Sequence, residues 1–478
     1  MRLRTDEAVL RDEHGRQRVL HGINMVDKGH PGATSAADFE GAWSSADVAD
    51  LADMGFTVVR LGLIWAAVEP APGEYSEHYL AWIGSQLDMF DRHGIGVILD
   101  AHQDLYSQSF ADGAPAWATL TEEPFEASDL WSDAYLASPA VHQALDAFWA
   151  NAPGPGGVGL QDRFAAMWAE TAARFRDHPA LLGYDILNEP APGSAAGEIF
   201  GALIGAFAEA TGQDPQLVAV DFASPEAKFA QLGLLDEVAT HRAIGDAVAP
   251  LLAAFERDAV APFMDKVTRA IRAVDPDGLI LREHDYFANL GIPSGQPPLD
   301  DSAWLYSPHG YDLTVDTEAI ALSSNTRAST IFERCRETAD RLNVPVLVGE
   351  WGAFGAAPGV TNHAAHLLDV FDSHHWSWTY WCWEEGFTAT EGASALRRPR
   401  PLAFAGDATG WEVTETAFTA AWHGRAGDAP SEFWLPDAAE AAISVTRDGV
   451  PVDATLDGNR VLVDAADGFH EFSAAWDR

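Results

Sequence analysis

Two glutamates in this sequence each follow a short apolar run and precede a turn. Glu189 lies in GYDILNEPAPG (183–193), and Glu350 lies in VLVGEWG (346–352). Glycoside hydrolysis needs two such groups, an acid that protonates the leaving oxygen and a carboxylate that attacks the anomeric carbon. Taken alone, Asn-Glu-Pro is usually a turn and a glutamate at the end of a strand is usually solvated. The chemistry therefore depends on a fold that holds the two glutamates face to face.

Further residues with suitable chemistry also follow apolar runs: Arg60, His102, Asp104, Asn188, His309, Tyr311 and Trp383. Arg60 could keep a carboxylate ionised through its charge. A tyrosine such as Tyr311 can orient a nucleophile, and a histidine such as His309 can orient an acid. Asn188 could bind a sugar 2-hydroxyl, and Trp383 could pack against the C–H face of a sugar. Each also has a structural interpretation as a turn, an ion pair or part of the core.

Eight apolar or β-branched runs, each ending in polar residues, predict buried strands: 18–25, 57–63, 96–104, 181–189, 278–285, 303–312, 344–352 and 376–385. Helical patterns precede most of these runs. Alternation of this kind predicts the α/β class and a (β/α)8 TIM barrel. An open doubly wound sheet would need a Gly-rich loop after the first strand, and HGINMVDKG is not one.

The barrel explains the positions of the candidate residues. They follow the second, third, fourth, sixth, seventh and eighth predicted strands, and the C-terminal ends of barrel strands form the active face. The fourth and seventh strands lie on opposite sides of the barrel mouth, so Glu189 and Glu350 are predicted to face each other. A pair about 5–5.5 Å apart would give a retaining mechanism.

Two connections are longer than ordinary loops, and both leave the predicted active face. Residues 105–160, after the third strand, are rich in aromatic side chains, and residues 191–256, after the fourth, are rich in Ala, Leu and Phe. They are either lids with cores of their own or the walls of a groove for an apolar ligand. Both interpretations can hold together.

The residue pattern of the sequence changes near residue 395. Short strand-like segments follow, separated by turn signals such as RDG and LDGN. We therefore divide the chain into a catalytic barrel, 1–395, and a small C-terminal β-sandwich, 396–478. A structural role for the sandwich is the simpler interpretation, and binding of a sugar or a surface is the alternative.

Composition limits the classes of function. The 478 residues include 72 Asp and Glu against 29 Lys and Arg, a net charge of −43, which argues against nucleic-acid binding. We expect no metal and no cofactor, because motifs such as C-x-x-C or H-E-x-x-H do not occur. Cys335 and Cys382 allow one disulfide at most.

The sequence contains no predicted transmembrane segment and no predicted signal peptide, since no long apolar run follows the two early arginines. The protein is expected either to act in the cytoplasm or to be secreted after loss of a signal.

The set Arg60, His102, Asn188-Glu189-Pro190, His309, Tyr311, Glu350 and Trp383 resembles glycoside hydrolase family 5 over about residues 15–390. The resemblance implies retaining hydrolysis of a β-glycoside, with Glu189 as acid/base and Glu350 as nucleophile. LHGINMVDKGHP, DAHQDLYSQSF, DGAPAWAT and NEPAPG look most like the endoglycoceramidases and related glycolipid β-glucosidases.

This subgroup cleaves the bond between a glycan or glucose and ceramide. By this resemblance Lys28, Asp104 and Trp117 help to bind the sugar nearest that bond, the long apolar connections flank the lipid, and transient contact with lipid surfaces is expected. Relatives often have a bulky aromatic residue where this chain has Ala191, which leaves open the shape of the groove beside the acid.

Three hypotheses follow from the sequence. The first is a retaining β-glycosidase that acts on a glycosphingolipid. The second keeps the reaction but changes the substrate to glucosylceramide or to a steryl, plant or aryl β-glycoside. The third, an inactive glycan-binding protein, is disfavoured because the predicted catalytic set is intact.

Overall fold

The computed structural model describes residues 2–30, 33, 35–222 and 225–476. Three short antiparallel strands come first in the described chain, and eight parallel strands of a second sheet follow them. The opening strands are β1 (Leu3–Asp6), β2 (Val9–Asp12) and β3 (Gln17–Arg18). The next eight are β4 (His21–Met25), β5 (Val58–Ile64), β6 (Gly96–His102), β7 (Leu181–Asp185), β8 (Leu279–Arg282), β9 (Trp304–Tyr306), β10 (Leu347–Val348) and β11 (Ser377–Tyr380).

Strands β4 to β11 form a parallel barrel. Neighbours in the chain pair with each other, β11 pairs with β4, and a parallel bridge between Tyr306 and Val346 links β9 to the residues before β10. These strands are almost entirely buried, which explains why their sequences are continuous apolar runs rather than alternating ones. The prediction of a (β/α)8 barrel is therefore confirmed, and each predicted run overlaps one of the eight barrel strands.

Helices surround the barrel and fill the long connections: α1 (Ser45–Asp53), α2 (Trp65–Val68), α3 (Glu77–Arg92), α4 (Ala134–Ala137), α5 (Pro139–Trp149), α6 (Leu160–Phe175), α7 (Ala196–Thr211), α8 (Pro215–Phe222), α9 (Pro225–Leu232), α10 (Val238–Phe255), α11 (Ala261–Arg272), α12 (Asn325–Leu342), α13 (Thr361–Ser373) and α14 (Glu391–Leu396). Ser44, Ser76 and Ser324 precede α1, α3 and α12, and their hydroxyls accept backbone N–H groups of the first turn. These caps fix where the helices begin.

Aliphatic side chains fill the end of the barrel where the strands begin: Leu20, Val58, Ile98, Leu182, Leu279, Leu281, Leu305 and Leu347. Leu3 of β1 and Leu10 of β2 belong to the same cluster, so the opening strands close this end of the barrel. Side chains alternate along a strand. Arg60, two residues after Val58, therefore points into the same interior but nearer the mouth.

The C-terminal strands build two further sheets: β12 (Arg400–Phe404), β13 (Gly406–Val413), β14 (Ala417–Gly424), β15 (Ser431–Trp434), β16 (Ala442–Arg447), β17 (Val450–Pro451), β18 (Thr455–Asp457), β19 (Arg460–Val463) and β20 (Gly468–Ala475). One sheet has the order β1-β2-β3-β12-β15-β19-β18, and the other β13-β14-β20-β16-β17. Phe433 of the first sheet stacks on Phe472 of the second, with ring centroids 4.4 Å apart. The two sheets thus share an aromatic core, as a sandwich requires.

The opening strands belong to a C-terminal sheet, a position that the predicted division into 1–395 and 396–478 does not include. Arg18 of β3 pairs with Ala403 of β12, and Arg11 donates to Asp407 Oδ1 at 2.5 Å. The backbone N–H and C=O groups along one edge of β12 require hydrogen-bond partners, and the side chains of Leu3 and Leu10 require burial away from water. Residues 3–18 satisfy both requirements, because β3 pairs with β12 while Leu3 and Leu10 pack against the end of the barrel.

The long connections leave the barrel after β6 and β7, as predicted. The first contains α4 and α5, and side chains such as Tyr106 and Phe148 are buried in the main core of the barrel. The second contains α7 to α10, which form two smaller apolar clusters of their own. The second connection is therefore the more independent of the two.

Cys335 and Cys382 are free thiols. Burial raises the pKa of each to about 12, so both stay protonated near neutral pH. Within the described ranges, none of the helices combines the length and the apolar character that crossing a membrane requires.

Candidate active site

Arg60 lies in the middle of β5 and not at its end as predicted, and its fully buried side chain reaches the centre of the barrel. Its guanidinium contacts the carboxylates of Asp100, Asp185, Glu283 and Glu350 at 2.8–2.9 Å. Burial by itself would lower the pKa of Arg60, but the four carboxylates outweigh burial and raise it well above its ordinary value. Arg60 therefore stays charged and fixes the positions of the carboxylates around it.

Glu350, two residues after β10, presents both carboxylate oxygens to donors. Oε1 accepts from Arg60 Nη1 at 2.8 Å, and Oε2 accepts from the hydroxyl of Tyr311 at 2.6 Å. Burial raises the pKa of Glu350 to about 7, although His309 and Arg60 act in the opposite direction. The donors leave the carboxylate little freedom to rotate, which orients it toward the barrel mouth.

Glu189 follows β7, and its side chain is held by a different set of groups. Oε1 accepts from Asn289 Nδ2 at 2.7 Å and lies 3.0 Å from His309 Nδ1. Burial and the nearby Asp104 raise the pKa of Glu189 to about 8. The backbone φ of Glu189 is 41°, a left-handed conformation that costs a non-glycine residue about 1 kcal/mol or more. Such strain persists only where the surroundings hold the residue in place.

The two glutamates lie close together. A carboxylate oxygen of Glu189 and one of Glu350 lie within 4.8 Å of each other. This separation is shorter than the ~6.5–9.5 Å that inverting enzymes use to fit a water molecule between substrate and base. Arg60 contacts Glu350 but not Glu189, so a single proton shared by the pair is favoured on Glu189 and the negative charge on Glu350. The arrangement is compatible with an acid at Glu189 and a nucleophile at Glu350.

Lys28, His102, Asp104 and Asn188 line the cavity beside the glutamates. Lys28 forms an ion pair with Asp104, and its Nζ lies 4.7 Å from the ring centroid of Trp381. The His102 ring stacks on the same Trp381 at 5.2 Å, and Asn188 accepts from Arg60 at 2.9 Å. Burial opposes the charge of Lys28, but Asp104 outweighs it and raises the pKa of Lys28. Donors, acceptors and an aromatic face are thus available to a polyhydroxylated ring.

Trp117 and Trp383, both predicted to contact sugar, do not line this cavity. Trp117 donates to the carbonyl of Glu69 at 3.0 Å and packs edge-on against Trp65. Trp383 packs edge-on against Trp43, with centroids 5.7 Å apart. β11 ends at Tyr380, so the chain changes direction before Trp383 and presents Trp381 to the cavity instead.

Several residues at the site were not predicted: Asn24, Gln103, Glu283, Asn289, Trp131 and Trp381. Asn24 accepts from Arg60 Nη1 at 3.0 Å, and Gln103 donates to the carbonyl of Asn188 at 2.8 Å. Asn24 and Glu283 lie at or just after the ends of predicted strands, so the signal that identified Arg60 could have identified them. Asn289 lies in a loop that carries no comparable signal.

Ala191, two residues after the acid, is buried and lies outside the cavity lining. Its carbonyl accepts a hydrogen bond from Trp149 Nε1 at 2.9 Å. Trp149, at the end of α5, packs in turn against Phe255 and Phe263. A tryptophan from the first long connection therefore contacts the backbone at Ala191, and the cavity is shaped by other residues.

The cavity has a volume of about 410 Å³ and extends from the two glutamates to an apolar compartment. The apolar lining residues include Leu130, Leu136, Phe200, Leu203, Ile204, Phe207, Phe222, Leu232, Leu235, Ile244, Phe287, Leu290, Ile292, Leu313, Val315 and Ala353. The second long connection contributes the largest share of them, whereas the first contributes a smaller part near Trp131. The second connection is thus a wall of the cavity and also has a core of its own.

Three buried groups of histidines and carboxylates lie close enough to consider as cation sites: His102 with Asp104 and Asp112, Glu189 with His309 and Glu350, and Asp100 with Asp185 and Glu283. Arg60 already contacts each carboxylate of the third group and Glu350 of the second. Lys28 pairs with Asp104 of the first. Lysine and arginine side chains of the protein therefore already pair with five of the seven acids in these groups.

Comparison with known proteins gives a consistent result. The model of the family described as "Cellulase (glycosyl hydrolase family 5)" matches residues 27–386. The chain is 27% identical to an endoglycoceramidase of Cyanea nozakii over 403 residues, which are 78% of this chain and 67% of that protein. It is also 27% identical to a glucosylceramidase of Rhizopus delemar over 235 residues, 38% of this chain and 34% of that protein.

Among solved structures, the endo-glycoceramidase II of Rhodococcus sp. in complex with a five-membered iminocyclitol is 26% identical to the chain. The alignment covers 98% of this chain and 99% of that one, with a TM-score of 0.75. The likeness therefore extends over the barrel and the C-terminal sheets alike.

Proposed function

The chain belongs to glycosyl hydrolase family 5, and from this premise we propose that it is a retaining β-glycosidase that releases a β-linked glycan or glucose from ceramide. Membership of the family makes the chain a glycosidase. The identity of the glycolipid is the part that we propose.

One observation carries the proposal: a single cavity joins the glutamate pair to an apolar compartment. The polar end, with Lys28, Asp104 and Asn188, suits a sugar. The apolar end, formed largely by α7 to α10, suits a hydrocarbon chain, since burial of each CH₂ contributes about 0.8 kcal/mol. A substrate that spans both ends has a sugar on one side of the bond that is cleaved and a lipid on the other.

We assign the first chemical step to both glutamates. Glu189 gives its proton to the glycosidic oxygen while Glu350 attacks the anomeric carbon, so that the alcohol leaves and a glycosyl-enzyme forms. The pKa of about 8 supports Glu189 as the proton donor near neutral pH. Arg60 and Tyr311 hold the oxygens of Glu350 and stabilise its ionised form.

In the second step water attacks the glycosyl-enzyme, and Glu189, now ionised, takes the proton of that water. The bond to Glu350 breaks, and the sugar leaves with its original anomeric configuration. Asn289 and His309 remain within hydrogen-bond distance of Glu189 and keep it oriented for both proton transfers.

The relatives support ceramide as the aglycone. One is named an endoglycoceramidase and another a glucosylceramidase. Exposed apolar side chains in the second long connection, such as Leu217 and Val220, favour transient contact with the lipid surface that supplies the substrate.

The test compares a ganglioside, glucosylceramide and a steryl glucoside as substrates, with the released products identified by mass. We expect ceramide together with an intact oligosaccharide from the ganglioside. Release of glucose from glucosylceramide alone would restrict the enzyme to short glycans, and hydrolysis of the steryl glucoside but of neither sphingolipid would contradict ceramide. The Glu350→Gln variant is the control for contaminating activity.

A further inference from the structure

A third glutamate, Glu283, directly follows β8 and lies inside the barrel. It is 1% exposed and does not line the cavity, so it cannot touch a bound substrate. None of the proposed chemical steps uses it. Any role in the reaction must therefore act through its protein neighbours.

Glu283 contacts the acid directly. Its Oε2 accepts a hydrogen bond from the backbone N–H of Glu189 at 2.6 Å. Because Glu189 has a positive φ, this bond restrains the backbone in a conformation that a glutamate rarely adopts. The direction in which the Glu189 side chain leaves the backbone depends on that conformation.

The other oxygen of Glu283 is also held. Oε1 accepts from Arg60 Nη2 at 2.8 Å and lies 3.4 Å from His309 Nε2. The other ring nitrogen of His309, Nδ1, is 3.0 Å from the Glu189 carboxylate. Glu283 therefore connects Arg60 to both the backbone and the side-chain environment of Glu189.

We propose that Glu283 is a positioning residue that holds Glu189 in the orientation for protonating the leaving group. The inference rests on the proposed roles of Glu189 and Glu350. Asp100 and Asp185 also contact Arg60, but their remaining hydrogen bonds go to His102 and to Ser307, respectively, and not to Glu189. Among the acids around Arg60, Glu283 is the one bonded to the Glu189 backbone.

Glu283→Gln keeps the shape of the side chain but turns one oxygen into an N–H donor. That donor must face either Arg60 or the N–H of Glu189, and one of the two hydrogen bonds is lost. The matched control is Asp185→Asn, which changes another acid on Arg60 without touching Glu189. Glu283→Asp is the second variant, because it keeps the charge but is one methylene too short to span both partners.

The experiment measures kcat/KM for two β-glycosides of one sugar, with 2,4-dinitrophenol or a simple alcohol as leaving group. Dinitrophenolate leaves without a proton, whereas an alcohol needs the acid. We expect Glu283→Gln to lower kcat/KM about 100-fold for the alkyl glycoside and less than about 3-fold for the dinitrophenyl glycoside. Asp185→Asn should lower both by similar factors.

Wild-type inactivity on both glycosides would overturn the proposed function and the role of Glu283 with it. Wild-type activity with equal losses for the two leaving groups in Glu283→Gln would overturn the role of Glu283 alone. If Glu283→Gln fails to fold, the same comparison with Glu283→Asp decides: a larger loss with the alkyl glycoside supports the role, and equal losses overturn it.

Discussion

The two ends of the cavity are built by different means. At the polar end, side chains at or near the ends of barrel strands meet around Arg60, and each is held by charge-assisted hydrogen bonds at about 2.8 Å. At the apolar end, helices α7 to α10 present aliphatic and aromatic side chains that pack without directional bonds. The function of the polar end depends on the positions of individual atoms, whereas ligand binding at the apolar end depends mainly on the shape of the wall and the area of contact.

This difference separates reaction from substrate choice. A change of one residue at the polar end alters the charge or orientation of a reacting group, whereas the same change at the apolar end alters an area of contact. We therefore expect large effects on kcat at the polar end and moderate effects on KM for lipid substrates at the apolar end.

The largest effect is expected for Glu350→Gln. The amide cannot form the glycosyl-enzyme, so kcat should fall by about 10⁵-fold or more for every β-glycoside, whatever its leaving group. Hydrolysis of an aryl β-glycoside measures the loss, and a thermal melt shows whether the fold is kept. Activity within 10-fold of the wild type would show that Glu350 is not the nucleophile.

The second effect concerns stability. Arg60→Met leaves Asp100, Asp185, Glu283 and Glu350 buried without their cation, which should cost about 3–5 kcal/mol of unfolding free energy. Urea unfolding followed by circular dichroism measures it. A loss of unfolding free energy below about 1 kcal/mol would mean that these acids are neutral in the folded protein. The polar end of the cavity would then not be a charged site.

The third effect is the pH dependence of kcat/KM for a substrate with an alcohol leaving group. Activity needs Glu350 ionised and Glu189 protonated, so it should rise up to a pH of about 7, the pKa of Glu350. It should fall above about 8, the pKa of Glu189. For a dinitrophenyl glycoside the fall on the alkaline side should be shallower, because that leaving group needs no proton. If kcat/KM falls equally steeply above about pH 8 for both substrates, Glu189 is not the acid.

The smallest effect is expected at the apolar end. Phe200, which lines the cavity and is partly buried, loses lipid contact in Phe200→Ala, and KM for a glycosphingolipid should rise about 10-fold. Hydrolysis of a small aryl glycoside should not change. Val450→Ala in the C-terminal sheet is the control, since Val450 is 63% exposed and lies outside the cavity lining. Equal effects of both variants would place the lipid elsewhere.

The same contrast explains what the sequence could and could not reveal. Barrel strands are buried on both faces, so they are visible as apolar runs, and residues at their ends meet at one mouth whatever the details of the loops. Glu189 and Glu350 could therefore be placed from their positions in the chain, and Arg60 reaches Glu350 because its long side chain faces the interior from the middle of β5. Glu283 obeys the same rule and could have been included.

Residues outside the strands could not be placed in this way. Trp381 and Trp383 are two positions apart, and the path of the chain after β11 decides which of them reaches the cavity. Asn289 lies 100 residues from Glu189 in a loop, and its contact depends on tertiary packing alone. Ala191 left the shape of the groove open in the sequence, and in the fold its backbone carbonyl accepts from Trp149, which lies 42 residues earlier in the chain.

The strands that close the barrel at its lower end have a consequence for synthesis. Arg11 pairs with Asp407, which lies 396 residues later in the chain, and Arg18 of β3 pairs with Ala403 of β12 across a similar separation. Ribosomes add about 5–20 residues per second, so the first strands leave the exit tunnel roughly 20–80 s before their partners. Throughout that interval Leu3 and Leu10 lack the sheet that holds them over the barrel. A nascent chain of this protein therefore cannot complete the closed end of its barrel before the C-terminal sheets are made.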